Sequence, residues 1–277
     1  MSYLPQVPVS GLAGWRILKR TEATQRAAFD RSADVKADVD YFTANIAKVK
    51  TAADLMADRR LLKVALGAFG LGEEIGKKAF IRKVLEEGTT AEDAFAARLT
   101  DPNFKKFSAA FGFGDAGART GAAGFAATIT EAYKTRAFEA AVGESDDDMR
   151  LAMNFRREIA DLAAGEKGGS WYSVIGSKSL AKVIGTAFGL PASAFGKLDV
   201  DRQRAILMDK CDALFGSPDL SVFQDPAKVD KLIDRFLARS QLVNGSTRTA
   251  GASPALLLFG GGSAGSQGIY NLLMSRR

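Results

Sequence analysis

The sequence DRRLLKVALGAFGL, residues 58–71, contains the pattern that decides the fold. Its apolar residues recur at spacings of three and four, which predicts one buried face of an α-helix. Asp58 precedes the pattern as a helix cap, and Gly70 follows it, where glycine can take the left-handed conformation that ends a helix. A similar stretch, SLAKVIGTAFGL, recurs at residues 179–190 with identical spacing between LxKV and AFGL, and predicts a second helix of the same kind.

Two further pairs of segments recur in the same order as this one. Thr21-Glu22-Ala23, with Ala28-Phe29 after it, returns as Thr130-Glu131-Ala132 with Ala137-Phe138, and the segment 42–49 resembles 155–162. Three anchors in one order predict a tandem duplication, with two helical halves facing each other across an approximate two-fold axis. A residue type required in both halves serves packing, which favours a scaffold or binding module over an enzyme.

The predicted fold class is all-α, with two tandem-duplicated multi-helix halves packed as one globule. Only 7 prolines interrupt a chain of 277 residues that is rich in helix formers. The predicted helices comprise 21–49, a linking helix over about 118–142, and 146–163, 178–188, 200–215 and 226–241. The predicted regions are an extended arm at 1–20, the first half with its linking helix at 21–142, the second half at 143–242, and a flexible Gly/Ser-rich tail at 243–277.

Composition excludes several classes of catalytic chemistry. Histidine is absent, which removes Ser-His-Asp and Cys-His catalysis and zinc sites built on histidine. The single cysteine, Cys211, lies at an apolar helical spacing and is predicted to be buried and inert. Ser179 and Lys182 match a Ser-x-x-Lys pattern, but Arg60 stands where the repeat would need the serine. Carboxylates or lysines could still catalyse a reaction, but the sequence predicts a protein that is not an enzyme.

The formal net charge of +6 leaves nucleic acid or another acidic partner open as an alternative. Basic and acidic residues alternate along the chain, however, whereas nucleic-acid grooves collect Lys and Arg beside aromatic platforms. This pattern favours solvated helix faces over a nucleic-acid site. No apolar run approaches the roughly 20 residues that a membrane span needs, so no membrane span is predicted.

No cofactor or metal is predicted. Gly260-x-Gly262-x-x-Gly265 and Gly112-x-Gly114-x-x-Gly117 both match the dinucleotide-binding spacing, but neither precedes the helix and second strand that this fold requires. The first is interpreted as a flexible hinge and the second as a helix stop with an interhelical turn. Three consecutive acids, 146–148, favour the start of a helix over a cation site.

Apolar islands in the tail are the candidate partner-binding elements, together with Trp15 in the arm. An isolated apolar run is costly to expose to water, so each island either docks on its own chain or contacts a partner. The second island, 269–274, predicts a short amphipathic helix. The candidate residues are Trp15, Leu256, Leu257, Leu258, Phe259, Ile269, Tyr270, Leu272 and Leu273.

Several of these stretches resemble an alphaproteobacterial family known as a domain of unknown function. The resemblance is carried by residues 10–15 (SGLAGW), 58–71, 78–85 (KAFIRKVL), 111–114 (FGFG) and 141–145 (AVGES). Members of that family tend to be encoded within flagellar gene clusters, and some are labelled as flagellar rod or basal-body proteins. The resemblance implies a role in flagellar assembly or motility, and it supplies no catalytic or binding residues.

The sequence thus predicts a non-enzymatic helical structural or assembly protein of the bacterial flagellum that acts through protein–protein contacts with flagellar proteins. The alternative is a basic nucleic-acid-binding or regulatory protein. The N-terminal residues do not form a cleaved leader, so a cytoplasmic or flagellar basal-body location is expected, and signal-less flagellar export is compatible with both. The partner, the assembly step and the oligomeric state are left open.

Overall fold

The structure, a computed structural model, describes residues 3–91, 93–164 and 170–248, with side chains described as far as residue 242. Helices make up 75% of the structure, and the described residues contain no strand, which confirms the predicted all-α class. The helices are α1 Gly11–Asp30, α2 Ala33–Asn45, α3 Ala52–Ala57, α4 Arg59–Ala68, α5 Lys78–Glu86, α6 Phe95–Arg98, α7 Pro102–Phe111, α8 Phe125–Gly143, α9 Asp147–Ala164, α10 Trp171–Gly176, α11 Lys178–Phe188, α12 Ala192–Phe195, α13 Val200–Phe215 and α14 Pro226–Arg248.

Two hydrophobic cores share helix α8. The first core contains α2, α4, α5 and α7 together with Ile129 and Tyr133 from the beginning of α8. The second contains α9, α11, α13 and α14 together with Phe138 and Val142 from its end. Because one continuous helix contributes to both cores, the two parts of the molecule are joined through α8.

The helix endings after α4 and α11 have the same backbone conformation. Gly70 after α4 has φ 74° and Gly189 after α11 has φ 75°, the left-handed values that glycine adopts without steric cost. Leu71 donates its backbone N–H to Leu66, five residues back, and Leu190 does the same to Gly185. Both are therefore Schellman endings, as the sequence predicts. The duplication itself stays a prediction.

The prediction of an extended arm over residues 1–20 is wrong beyond residue 10. Helix α1 begins at Gly11, and the side chains of Trp15 and Leu18 are buried in the second core. The glycines and prolines of this stretch disfavour a helix locally, but burial of a large aromatic side chain outweighs that preference. Helix α1 also shows that the first stretch of the chain packs with the C-terminal core.

The predicted helix 21–49 is two helices and a turn. Helix α1 ends at Asp30, Ser32 takes an extended conformation with ψ 146°, and α2 begins at Ala33. The apolar stripe of the prediction is nevertheless correct, because Val35, Phe42 and Ile46 are buried. After the break, Phe42 of α2 packs in the first core, whereas Val35 near the start of α2 packs with α1 in the second. The four helices predicted for the second half match α9, α11, α13 and α14.

Candidate protein–protein interface

Trp15 cannot be a partner-binding residue of the folded chain. Its side chain is fully buried, and the guanidinium of Arg156 lies 5.5 Å from the centre of its ring. Arg156 in turn donates two hydrogen bonds to Glu22, at 2.6 and 2.7 Å. The physical reason for the correction is that α1 places Trp15 on its core-facing side. Trp15 anchors α1 to α9.

The eight tail candidates, Leu256, Leu257, Leu258, Phe259, Ile269, Tyr270, Leu272 and Leu273, lie outside the described residues. The predicted tail, 243–277, starts too early, because α14 continues as a helix to Arg248 rather than ending near residue 241. The Gln241 side chain reaches the carbonyl of Ser10 at 3.5 Å. Gln241 of α14 therefore lies beside the start of α1.

Exposed large apolar side chains identify a candidate that the sequence reasoning missed. Within the described residues, seven such side chains are exposed, and none of them lies between residues 18 and 171. They are Leu4, Val9, Ile17, Tyr172, Leu198, Val200 and Leu242. All seven therefore lie outside the stretch that builds most of the first core. Clustered exposed apolar residues mark interaction sites, which makes Tyr172, Leu198 and Val200 the candidate.

Tyr172 is held in place from two sides. Its hydroxyl donates a 2.6 Å hydrogen bond to Oδ1 of Asp201 in α13, and the guanidinium of Arg204 lies 5.5 Å from the ring centre. The hydrogen bond to Asp201 is the main cause of a raised pKa for Tyr172. Ser170 caps the short helix α10 by accepting the backbone N–H of Tyr172. The exposed ring is therefore fixed in position on the surface.

Leu198 lies in the turn before α13, and Val200 is the first residue of that helix. Gln203, which is buried, donates its side-chain amide to the carbonyl of Leu198 at 2.8 Å. Asp199 caps α13 by accepting the backbone N–H of Arg202 at 2.8 Å. Both residues are nevertheless exposed: the exposed fraction is 38% for Leu198 and 49% for Val200, compared with 46% for Tyr172. We call Tyr172, Leu198, Val200 and Arg204 the Tyr172 surface.

A charged layer between α8 and α9 is the strongest polar cluster, and it is structural. Arg157 donates two 2.9 Å hydrogen bonds to the buried carboxylate of Glu139, and a second arginine, Arg136, lies 3.8 Å from Glu158. Burial alone would lower the pKa of Arg157, but Glu139 raises it. Burial lowers the pKa of Arg136, with repulsion from Arg157 adding to the effect. Each charge of this layer has an oppositely charged partner inside the fold.

The glycine pattern at 112–117 joins two loops. Gly112 ends α7 with φ 72°, and a side chain on Gly114 would lie 2.3 Å from the backbone nitrogen of Gly88. Asp115 accepts hydrogen bonds from the backbone N–H groups and hydroxyls of both Thr89 and Thr90, at 2.6 to 3.0 Å. This confirms the predicted helix stop and turn. The second glycine pattern, 260–265, lies outside the described residues.

Cys211 is buried in the second core, where burial raises the pKa of its thiol to about 12. This agrees with the predicted inert thiol. Across the residues that the structure covers, no group of three acidic or thiol side chains could hold a metal ion. Within the same coverage, no helix combines the length and apolarity that crossing a membrane requires.

Comparison with known proteins finds a family and a solved structure. The family described as "Protein of unknown function (DUF1217)" matches residues 68–229, which include the whole Tyr172 surface. A crystal structure of protein AGR_C_984 from Agrobacterium tumefaciens is 28% identical in sequence, with a TM-score of 0.71. The similarity covers 87% of this chain and 99% of that one. No curated protein matches.

Proposed function

This chain belongs to the DUF1217 family, and we propose that it is a non-enzymatic structural or assembly protein of the bacterial flagellum. It acts through contacts with flagellar proteins, in the cytoplasm or at the flagellar basal body. The flagellar part of the proposal is supported by the family resemblance of residues 10–15, 58–71 and 78–85, because relatives with those segments tend to be encoded in flagellar gene clusters.

One observation carries the protein–protein part of the proposal. Tyr172, Leu198 and Val200 are exposed, and hydrogen bonds restrain their positions. The Tyr172 hydroxyl donates to Asp201, and the Leu198 carbonyl accepts from Gln203. A rigid apolar surface loses little conformational entropy when a partner covers it, so its burial contributes to affinity. Tyrosine and arginine are also the residue types that dominate binding energy in interfaces.

The tail islands are proposed as a second contact. Residues 255–259 follow the end of α14 in the sequence after only a short Gly- and Ser-containing stretch. A flexible connection followed by an apolar segment is a common way to present a helix or strand to a partner. Two contacts on one chain would raise the overall affinity through their effective concentration.

Affinity purification with mass spectrometry from the native cells tests this proposal. The samples are the tagged full-length chain, a chain ending at Arg248, the Leu198→Ser variant, and Ile17→Ser as a matched control on α1, where Ile17 is also 38% exposed. We expect flagellar components with the full-length chain and the control, and reduced amounts with the other two. Recovery of nucleic acid, or of nothing flagellar in any sample, would instead favour the basic nucleic-acid-binding alternative.

A further inference from the structure

We propose that the Tyr172 surface binds an acidic, apolar segment of another protein, and that the chain's own tail is not its occupant. This inference rests on the proposed function, since it names the chemistry of the partner for the same surface. It follows from three observations: the charges around the surface, the stacking of Arg204 on Tyr172, and the composition of residues 249–277.

The charges around the surface favour a negatively charged partner. Lys197, Arg202 and Arg204 have no salt bridge among the described residues. The two acids of the same stretch are occupied, since Asp199 caps α13 and Asp201 accepts the hydroxyl of Tyr172. Both acids stay charged when they accept hydrogen bonds, so residues 197–204 carry three cations against two anions, a formal net charge of +1. The N-terminus of the long helix α13 adds a partial positive charge.

Arg204 is positioned to bind a carboxylate by donating hydrogen bonds to it. Its guanidinium is placed over Tyr172, which limits its conformations while leaving the planar group without an acidic partner in the described chain. A guanidinium can donate two parallel hydrogen bonds to one carboxylate, which a lysine cannot do. A partner that sets a Glu or Asp beside an apolar side chain would contact Arg204 and cover Leu198 and Val200 at the same time.

The tail does not have this chemistry. Residues 249–277 contain no Asp or Glu and end in Arg276-Arg277. Its apolar islands could cover Leu198, but its charged side chains, Arg276 and Arg277, have the same sign as Lys197 and Arg202. The tail of a second copy would meet the same repulsion, and so would the Tyr172 surface of a second copy. Neither supplies the carboxylates, so the proposal assigns the surface to a different protein.

Fluorescence anisotropy with two synthetic amphipathic peptides tests the charge preference on the full-length chain. Both peptides carry the same stripe of Leu and Phe at helical spacing. One has Glu at the polar positions and the other has Lys. We expect the acidic peptide to bind at least about tenfold more tightly than the basic one, with the difference shrinking as salt screens the charges.

Variants locate the binding. Arg204→Glu should weaken the binding of the acidic peptide by about tenfold or more. Arg59→Glu, the same change at an exposed arginine of α4, should leave that affinity unchanged. Leu198→Ser keeps every charge and should weaken both peptides, which separates the apolar contribution from the electrostatic one. Far-UV circular dichroism establishes that each variant is folded.

Equal affinity for both peptides, or equal effects of Arg204→Glu and Arg59→Glu, would overturn the inference. Dimerisation that requires the Tyr172 surface, or tighter peptide binding by a chain ending at Arg248, would do so in favour of a second copy or of the tail. Flagellar partners that are insensitive to Arg204→Glu would leave the proposed function standing without this inference. Selective binding of the acidic peptide with no flagellar partner in cells would do the reverse.

Discussion

Phe29 of α1 and Phe138 of α8 are in edge-to-face contact, with ring centres 5.6 Å apart and an interplanar angle of 72°. They are 109 residues apart (138 − 29), the same offset that relates Thr21 to Thr130 in the repeated anchor. Arg26 and Thr135, again 109 apart, share a 2.8 Å hydrogen bond. Residues that the predicted duplication would make equivalent thus meet where α1 and α8 cross. A two-fold relation between duplicated halves predicts such a contact.

The Phe29–Phe138 contact should make a large contribution to stability. We expect Phe29→Ala and Phe138→Ala each to lower the free energy of unfolding by about 3–5 kcal/mol, because each leaves a cavity in the second core. The double variant should lose less than the sum, by about 0.5–1.5 kcal/mol for the aromatic pair. Urea unfolding measures all three values. Pairing Phe29→Ala with Phe107→Ala, in the other core, should be additive, and coupling of equal size there would contradict the expectation.

The ion pair between Glu139 and Arg157 should behave as a buried pair. Glu139→Gln leaves the guanidinium of Arg157 without its bidentate partner, and we expect a loss of about 3–5 kcal/mol. Glu131→Gln is the matched control on the same helix: its side chain is 61% exposed against 8% for Glu139, so it should cost less than about 1 kcal/mol. Similar losses in chemical denaturation would show that the charged layer is more hydrated than its burial indicates.

Asp115 should make stability depend on pH in the acid range. Burial alone would raise the pKa of Asp115, but the hydrogen bonds from Thr89 and Thr90 hold it below its ordinary value. Because the folded pKa is lowered, this stabilisation is complete above the unfolded value of about 3.9 and is lost as pH falls through the folded pKa. We expect Asp115→Asn to be less stable than wild type at neutral pH, with the difference narrowing below about pH 4. A difference that stays constant from neutral to acid pH would be the contrary result.

Gly14 should be intolerant of a side chain, and Gly185 should not. A methyl group on Gly14 would lie 1.7 Å from the carbonyl oxygen of Val9 and 2.5 Å from Cε of Met149. Gly14→Ala should therefore displace residues 3–10 from α1 and cost about 1–3 kcal/mol. Gly185 lies inside α11 with open space at the same position, so Gly185→Ala should stabilise the fold by about 0.5–1 kcal/mol. Thermal unfolding of both variants tests the contrast, and a shift of the same sign in both would contradict it.

The Tyr172 surface could not be predicted from the sequence. Tyr172 and Asp201 are 29 residues apart, and neither belongs to a motif, so nothing along the chain indicates that they share a hydrogen bond. From the sequence alone, Leu198 and Val200 would be predicted to be buried, because most apolar residues are. Their exposure is a property of packing, and only the folded chain shows which apolar side chains find no partner.

The sequence alone predicts four helices of the second half, α9, α11, α13 and α14, and the glycine endings after α4 and α11, because these depend on residues within a turn or two of each other. It does not predict the short helices α10 and α12. Tertiary structure decided where α1 lies. The local signals of residues 1–20 indicate an arm, yet burial of Trp15 and Leu18 against the C-terminal core makes residues 11–20 helical. The same long-range packing buries Trp15 and leaves Tyr172, Leu198 and Val200 on the surface. Burial depends on which distant segments pack together, and the local periodicity of the sequence does not contain that information.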